Sequence, residues 1–237
     1  MFQNPTVSKI IGKTFKYLFL AFVLFINVAI IFRMCSSGEP SSMKVLMVND
    51  KTLTAYEQYG DDITMFYQNQ YSITRADTNS GYFSVESVVF IPEAQQVQVL
   101  VRYNNSTIDA LATDYNLDTV PERDEELFDV TLFKTIDLTP DDTEDNDISE
   151  NLSSERYFPS EKIKDTKTVY NYYKYIFDGV SSEDAVGIFV DIYYNQNIDY
   201  EKSAYGTLCI YDNQSDNITY KLTSADKKAL QTALESK

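Results

Sequence analysis

Between Tyr17 and Phe32 lie sixteen consecutive residues without a charge, and Asn27 is the only strongly polar one among them. Extending back to Phe15, across Lys16, brings the stretch to eighteen residues. The methylene stem of Lys16 can lie along apolar surface while its ammonium reaches water. A helix rises about 1.5 Å per residue, so eighteen residues span roughly 27 Å, enough for a thinner hydrocarbon core. The stretch is apolar on every face and sits at the N-terminus, which does not fit the one-sided pattern of a helix packed on a soluble domain. It predicts a transmembrane anchor over residues 17–33.

A cleaved signal peptide is the rival. Lys9, Lys13 and Lys16 would form its basic region, but the apolar part is at the long end of the usual ~7–15 residues. No Ala-x-Ala site follows; Arg33 and Met34 come next, and Ser36-Ser37-Gly38 is a weak small-residue site. Cys35 lacks the small residues expected ahead of a lipidated cysteine. We therefore expect an anchor that stays. Three lysines precede it and one arginine follows, so residues 1–16 are expected in the cytoplasm and the large C-terminal part outside. In mid-span, Asn27 is a candidate for hydrogen bonding to a partner helix.

Charge divides the chain sharply. Residues 1–38 carry +4, and the whole chain carries −16, so residues 39–237 carry −20. Nucleic-acid binding depends on neutralising phosphates, so no nucleic-acid partner is expected. Lying on an anionic membrane surface is disfavoured for the same reason. The chain has no His, which removes Ser-His-Asp and Cys-His catalysis within it and histidine-ligated zinc. No cofactor and no metal are expected. The two cysteines are Cys35, at the expected membrane exit, and Cys209, in the apolar segment "YGTLCIYD". We expect them to be independent of one another, with Cys209 buried.

Beyond the anchor, residues 34–81 read as a membrane-proximal extension. Within it "MKVLMV" looks like a short strand, and "TLTAYEQYGDDITMFYQNQY" is either a helix broken near Gly60 or two strands. From residue 82 the pattern has the period of half-buried strands: Val97, Val99, Val101 and Tyr103 share one face, as do Val186, Ile188, Val190 and Ile192. "YFSVESVVFIP" and "QVQVLVRYN" read as a hairpin across "EAQQ". "YNYYKYIF" and "AVGIFVDIYYN" echo it as a second hairpin, and "YGTLCIYDNQSDNITYKL" reads as a last one. "NNSTIDALATDYNLD" has room for a short helix. Thr223 or Ser224 can cap a final helix striped by Ala229, Leu230, Ala233 and Leu234. Residues 137–155 form an acidic loop with an EF-hand-like start at Asp141, Thr143 and Asp145, but Asn146 and Leu152 stand where the motif needs Gly and Glu.

The expected fold is mainly β. It comprises an N-terminal transmembrane helix, an antiparallel β-sandwich of immunoglobulin-like type over residues 82–237, and a short C-terminal helix. The expected function is a single-pass, membrane-anchored extracytoplasmic binding or structural module of the cell envelope, with no bond chemistry. The alternatives are an accessory subunit of a secretion, division or transport complex and, behind it, a glycan hydrolase using two carboxylates. Candidate binding faces are the tyrosine strand, through Tyr172, Tyr173 and Tyr175, and the loop "NNSTID", through Asn104 and Asn105. Either would meet a protein or glycan by stacking and hydrogen bonding. Five Asn-x-Ser/Thr triplets, at Asn104, Asn105, Asn151, Asn213 and Asn217, are glycan acceptors only in a eukaryotic secretory pathway.

Overall fold

The computed structural model describes residues 5–37, 40–72, 84–122, 125–137, 152–167, 169–183, 185–194, 206–212 and 219–237. The chain divides into two units, residues 1–38 with 167–169, and residues 39–166 with 170–237. The first is built on helix α1 (Pro5–Ser37). Within it Lys13–Phe32, 20 residues, is long and apolar enough to cross a membrane, and its side chains are exposed. The Asn27 amide donates to the Val23 carbonyl at 2.7 Å. One polar hydrogen of the mid-span residue is thus satisfied along its own helix.

In the second unit, among the described residues, the strands form two antiparallel sheets. Strands β1 (Met65–Ser72), β2 (Ser84–Ile91), β3 (Gln96–Asn104), β6 (Glu161–Thr166), β7 (Tyr170–Asp178) and β10 (Thr219–Tyr220) make a six-stranded sheet in the order β10-β1-β2-β3-β7-β6. Strands β4 (Phe128–Asp137), β5 (Leu152–Tyr157), β8 (Ala185–Tyr194) and β9 (Gly206–Asp212) make a four-stranded one in the order β5-β4-β8-β9. Alternate residues point to opposite faces of a strand. That rule sends Val97, Val99 and Val101 of β3 and Tyr173, Tyr175 and Phe177 of β7 to one face. There they join Val130 and Leu132 of β4 and Ile188, Val190 and Ile192 of β8 in a single buried cluster. Rings cross the gap: Tyr103 meets Phe128 at 5.3 Å and Phe90 meets Tyr211 at 6.1 Å between centroids.

The first hairpin forms as expected. Strands β2 and β3 pair from Ile91↔Gln96 outward, around a turn at Pro92–Ala94 closed by Gln95 in the left-handed region (φ 47°). The other two expected hairpins do not form. Strand β7 lies in the six-stranded sheet and β8 in the four-stranded one; β9 and β10 are likewise split. The reason is visible at Gly179 (φ 80°) and Val180. The Val180 N–H donates to the Gln95 carbonyl at 2.9 Å, and its side chain is fully buried in the shared cluster. The chain therefore dives through the core to the opposite sheet. Local alternation sees two strands and a turn in both cases; only the partner choice differs.

The boundary expected near residue 82 does not divide the domain. Strand β1 pairs with β2 from Phe66↔Phe90 to Ser72↔Ser84. Ahead of it, helices α2 (Ser41–Lys44) and α3 (Asp50–Tyr59) belong to the same unit. Asn49 caps α3 by accepting from the Thr52 N–H, and α3 ends at Gly60 (φ 57°), so the segment is a helix broken at Gly60 followed by a strand. Helix α5 (Ser224–Glu235) starts at the Thr223–Asp226 capping box. Leu46, Leu53, Ile63 and Met65 pack with Ile91, Leu222 and Leu230 in a second buried cluster, with Ala233 and Leu234 against it. This cluster covers the outer face of the six-stranded sheet at β1 and β2. The charged β6 forms one edge of that sheet and the two-residue β10 the other. Residues 138–151, which hold most of the acidic run, lie outside the described residues, as do Asn213 and Asn217.

Phe177 is fully buried between the sheets. Phe177→Ala is expected to lower stability by about 3–5 kcal/mol, read as a fall in urea midpoint at unchanged slope.

Candidate functional site

Half of each strand in the six-stranded sheet faces away from the shared core. On β3 these outward residues include Gln98 and Leu100; on β7 they include Tyr172 and Lys174. Normally such a row meets water. Here Gln98 is 3% exposed and Lys174 4%. Burying an amide and an ammonium is costly unless each finds a partner. Both find the backbone of residues 45–47. Gln98 pairs with Met47 twice, accepting from its N–H at 2.8 Å and donating to its carbonyl at 2.9 Å. Lys174 Nζ donates to the Val45 carbonyl at 2.6 Å. Between them the Leu46 N–H donates to Asp226 Oδ1 at 2.8 Å, and Asp226 is itself 6% exposed. The other Asp226 oxygen accepts from the Thr223 N–H (3.1 Å) and hydroxyl (2.6 Å). "MKVLMV", read from the sequence as a short strand, is not one: Met43 and Lys44 end helix α2, and the backbone is extended at Val45 without joining a sheet. Residues 45–47 are held by side chains from β3, β7 and α5 and lie outside both strand ladders.

Beneath this strap is a recess of about 230 Å³. Met43 and Leu46 line it from the strap side, and Met65, Val89 and Leu100 from the sheet. Lys174 and Asp226 are in its wall, and two exposed lysines, Lys44 and Lys221, also line it. An apolar hollow with a few converging polar groups is the usual form of a small-ligand site. Asp226 is the only carboxylate among the lining residues, and both of its oxygens are engaged. The recess thus offers shape, apolar surface and positive charge, without a pair of carboxylates for acid–base work. Among the described residues no cluster of His, Cys, Asp or Glu is arranged to hold a metal ion.

The residues singled out from the sequence lie elsewhere. Tyr172, Tyr173 and Tyr175 are 0%, 2% and 2% exposed, so they offer no stacking face. Met43 and Leu100 cover Tyr172, and the other two lie in the core between the sheets. Tyr103 donates to the Glu125 carbonyl at 3.1 Å and its hydroxyl lies 3.3 Å from that of Tyr173; the Tyr175 hydroxyl donates to the Phe128 carbonyl at 3.3 Å. Burial pushes the hydroxyls of Tyr103 and Tyr175 well above the usual phenol range. "NNSTID" is the start of helix α4 (Asn105–Asp114), not a recognition loop. Asn104 is its cap, accepting from the Thr107 N–H at 3.2 Å, while Asn105 is exposed at the first helical position. Cys209 is exposed, not buried, because its neighbours Leu208 and Ile210 take the inward positions of β9.

Lys174 and Gln98 were missed. The signal for Lys174 was present: it is the only charge between Tyr170 and Phe177 in an otherwise aromatic strand. A second buried acid, Asp191 on β8, accepts from the Thr207 hydroxyl (2.6 Å) and the Tyr193 hydroxyl (3.0 Å), with Arg156 at 3.5 Å. That group is closed on itself.

Gln98→Ala strands both backbone groups of Met47. We expect faster hydrogen exchange at the Leu46 and Met47 amides and a loss of about 1–3 kcal/mol; unchanged protection there would refute the strap. The buried tyrosines give a second expectation. Their folded pKa values are raised, so the unfolded chain releases protons first. The stability they contribute is complete below about pH 10 and falls as pH rises above it. Alkaline unfolding curves should show this, with a shallower slope in Tyr103→Phe. Compared with family models, curated proteins and solved structures, the chain matches none.

Proposed function

We propose that this is a single-pass membrane protein whose β domain lies outside the membrane and acts at the cell envelope as a binding module for a small ligand. The observation that carries this reading is the strapped recess: an apolar hollow whose buried polar wall is committed to holding the chain rather than to chemistry. The span Lys13–Phe32 supports the anchor, and Lys9, Lys13 and Lys16 at or before its N-terminal end, against the single Arg33 after it, support a cytoplasmic N-terminus.

Strand order supports an immunoglobulin-like sandwich. If β2 is strand A, then β3, β4, β6, β7, β8 and β9 become B, C, D, E, F and G in chain order. The six-stranded sheet then contains A-B-E-D and the four-stranded one C-F-G, the constant-type arrangement, with β5 added beside C. In this reading β1 and β10 extend the A edge, and the outer layer of α3, α5 and the strap is an addition that creates the recess.

The exposed Cys209 makes the topology testable in intact cells. A membrane-impermeant thiol reagent should label it without permeabilisation, on a protein of full-length mass. Labelling that appears only in opened cells would reverse the orientation. A mass lacking the first thirty-odd residues would replace the anchored module with a secreted one.

A further inference from the structure

The recess carries a charge opposite to that of the domain around it. Residues 39–237 have 16 basic and 36 acidic residues, yet the residues lining the recess include three lysines, Lys44, Lys174 and Lys221, and one acid, Asp226. One of these lysines is committed, since Lys174 holds Val45. Lys221 has Asp62 at 3.7 Å in a long, exposed pair that solvent screens and an anion at the recess can compete with. For the Lys44 ammonium there is no ion pair among the described residues, and it is exposed. The interior, between Met43, Met65, Val89 and Leu100, is apolar.

Resting on the binding-module reading above, we infer that the recess takes a single-chain amphiphile with an anionic head: a medium-chain carboxylate. Its tail would lie between the strap and the sheet, and its carboxylate would sit at Lys44 and Lys221. Volume limits the tail to a short single chain. The recess is about 230 Å³. That is below the ~300–1,000 Å³ of sites for drug-sized ligands, and too small for a two-chain lipid. Charge selects the head. In a domain of net −20, a fatty carboxylate is repelled almost everywhere except beside a local group of lysines. Apolar burial supplies the affinity, at about 0.8 kcal/mol per methylene, and the exposed lysines supply the preference for an anion.

Two methionines make the test direct. Met43 and Met65 line the recess and Met47 does not. The full chain, labelled with ¹³C at its methionine methyls, would be placed in zwitterionic nanodiscs and titrated with octanoate, 1-octanol and octylammonium. Empty nanodiscs would correct for partitioning. We expect octanoate to shift Met43 and Met65 saturably, and to bind more tightly than either other probe. In the Lys44→Gln/Lys221→Gln double variant the octanoate affinity should fall about fivefold, while that for octanol stays unchanged. Equal binding of octanoate and octanol would overturn the choice of an anion and leave the recess a binding site. No shift from any probe would overturn the recess itself as a ligand site. The anchored topology would be untouched by either result, since the Cys209 labelling decides it separately.

Discussion

Three buried side chains hold one short length of backbone, and the outer half of the domain is organised around that contact. Gln98, Lys174 and Asp226 come from β3, β7 and α5, far apart in sequence, and meet on Val45, Leu46 and Met47. None of them is tolerable in a buried site alone. An unpaired amide in an apolar surrounding costs on the order of 1–3 kcal/mol, and an unpaired ion several times more. The carbonyls and amides of an extended segment have the same need. Each side resolves the other's deficit, and the result is specific in a way that apolar packing is not. A one-residue slip of residues 45–47 would turn Leu46 away from the cluster in which it is buried. This clamp sets where the strap runs, and therefore where the recess beneath it lies.

The sheet explains why much of this was legible and some was not. Periodicity found the strands, because Val97, Val99 and Val101 of β3 and Ile188, Val190 and Ile192 of β8 recur at the two-residue spacing that places them on one face of a strand. It found the C-terminal helix, because the Thr223–Asp226 cap and the Leu230 stripe are local features. It found the pairing of β2 with β3 but not the partners of the later strands. "YNYYKYIF" and "AVGIFVDIYYN" are joined by a turn that any hairpin would accept, and only the burial of Val180 sends them to different sheets. It also misjudged the tyrosines. Aromatic rows on both faces of β7 look like an exposed surface if one face is assumed solvated; here both faces are covered, so both rows are core. Lys174 is the residue that reveals this arrangement. A lone cation in an aromatic strand is either the exposed mark of a wet face or a buried ion with a dedicated partner, and only a structure can say which.

Electrostatics separates the domain into two regimes. Among the described residues most of its acids are exposed, and the net charge of −20 disfavours close approach to other anions. Within that field, the lysines around the recess and the closed Arg156–Asp191 group are local exceptions of different kinds. The second has its acceptors filled by Thr207, Tyr193 and Arg156, so it fixes the outer face of β8. The first leaves cationic side chains beside an apolar hollow, so it leaves something to bind.

Strand β6 has a consequence for crowding. Protein tethered to a surface by one helix is confined to two dimensions, where neighbours collide often and in similar orientations. Under those conditions an open sheet edge is an invitation to zip chain to chain. On the six-stranded sheet one margin is β6, whose Glu161, Lys162, Lys164 and Asp165 put charges of both signs along the edge, and the other is a two-residue strand too short to template a ladder. Among the described residues, neither margin of the six-stranded sheet therefore offers a long apolar edge along which a neighbouring chain could pair.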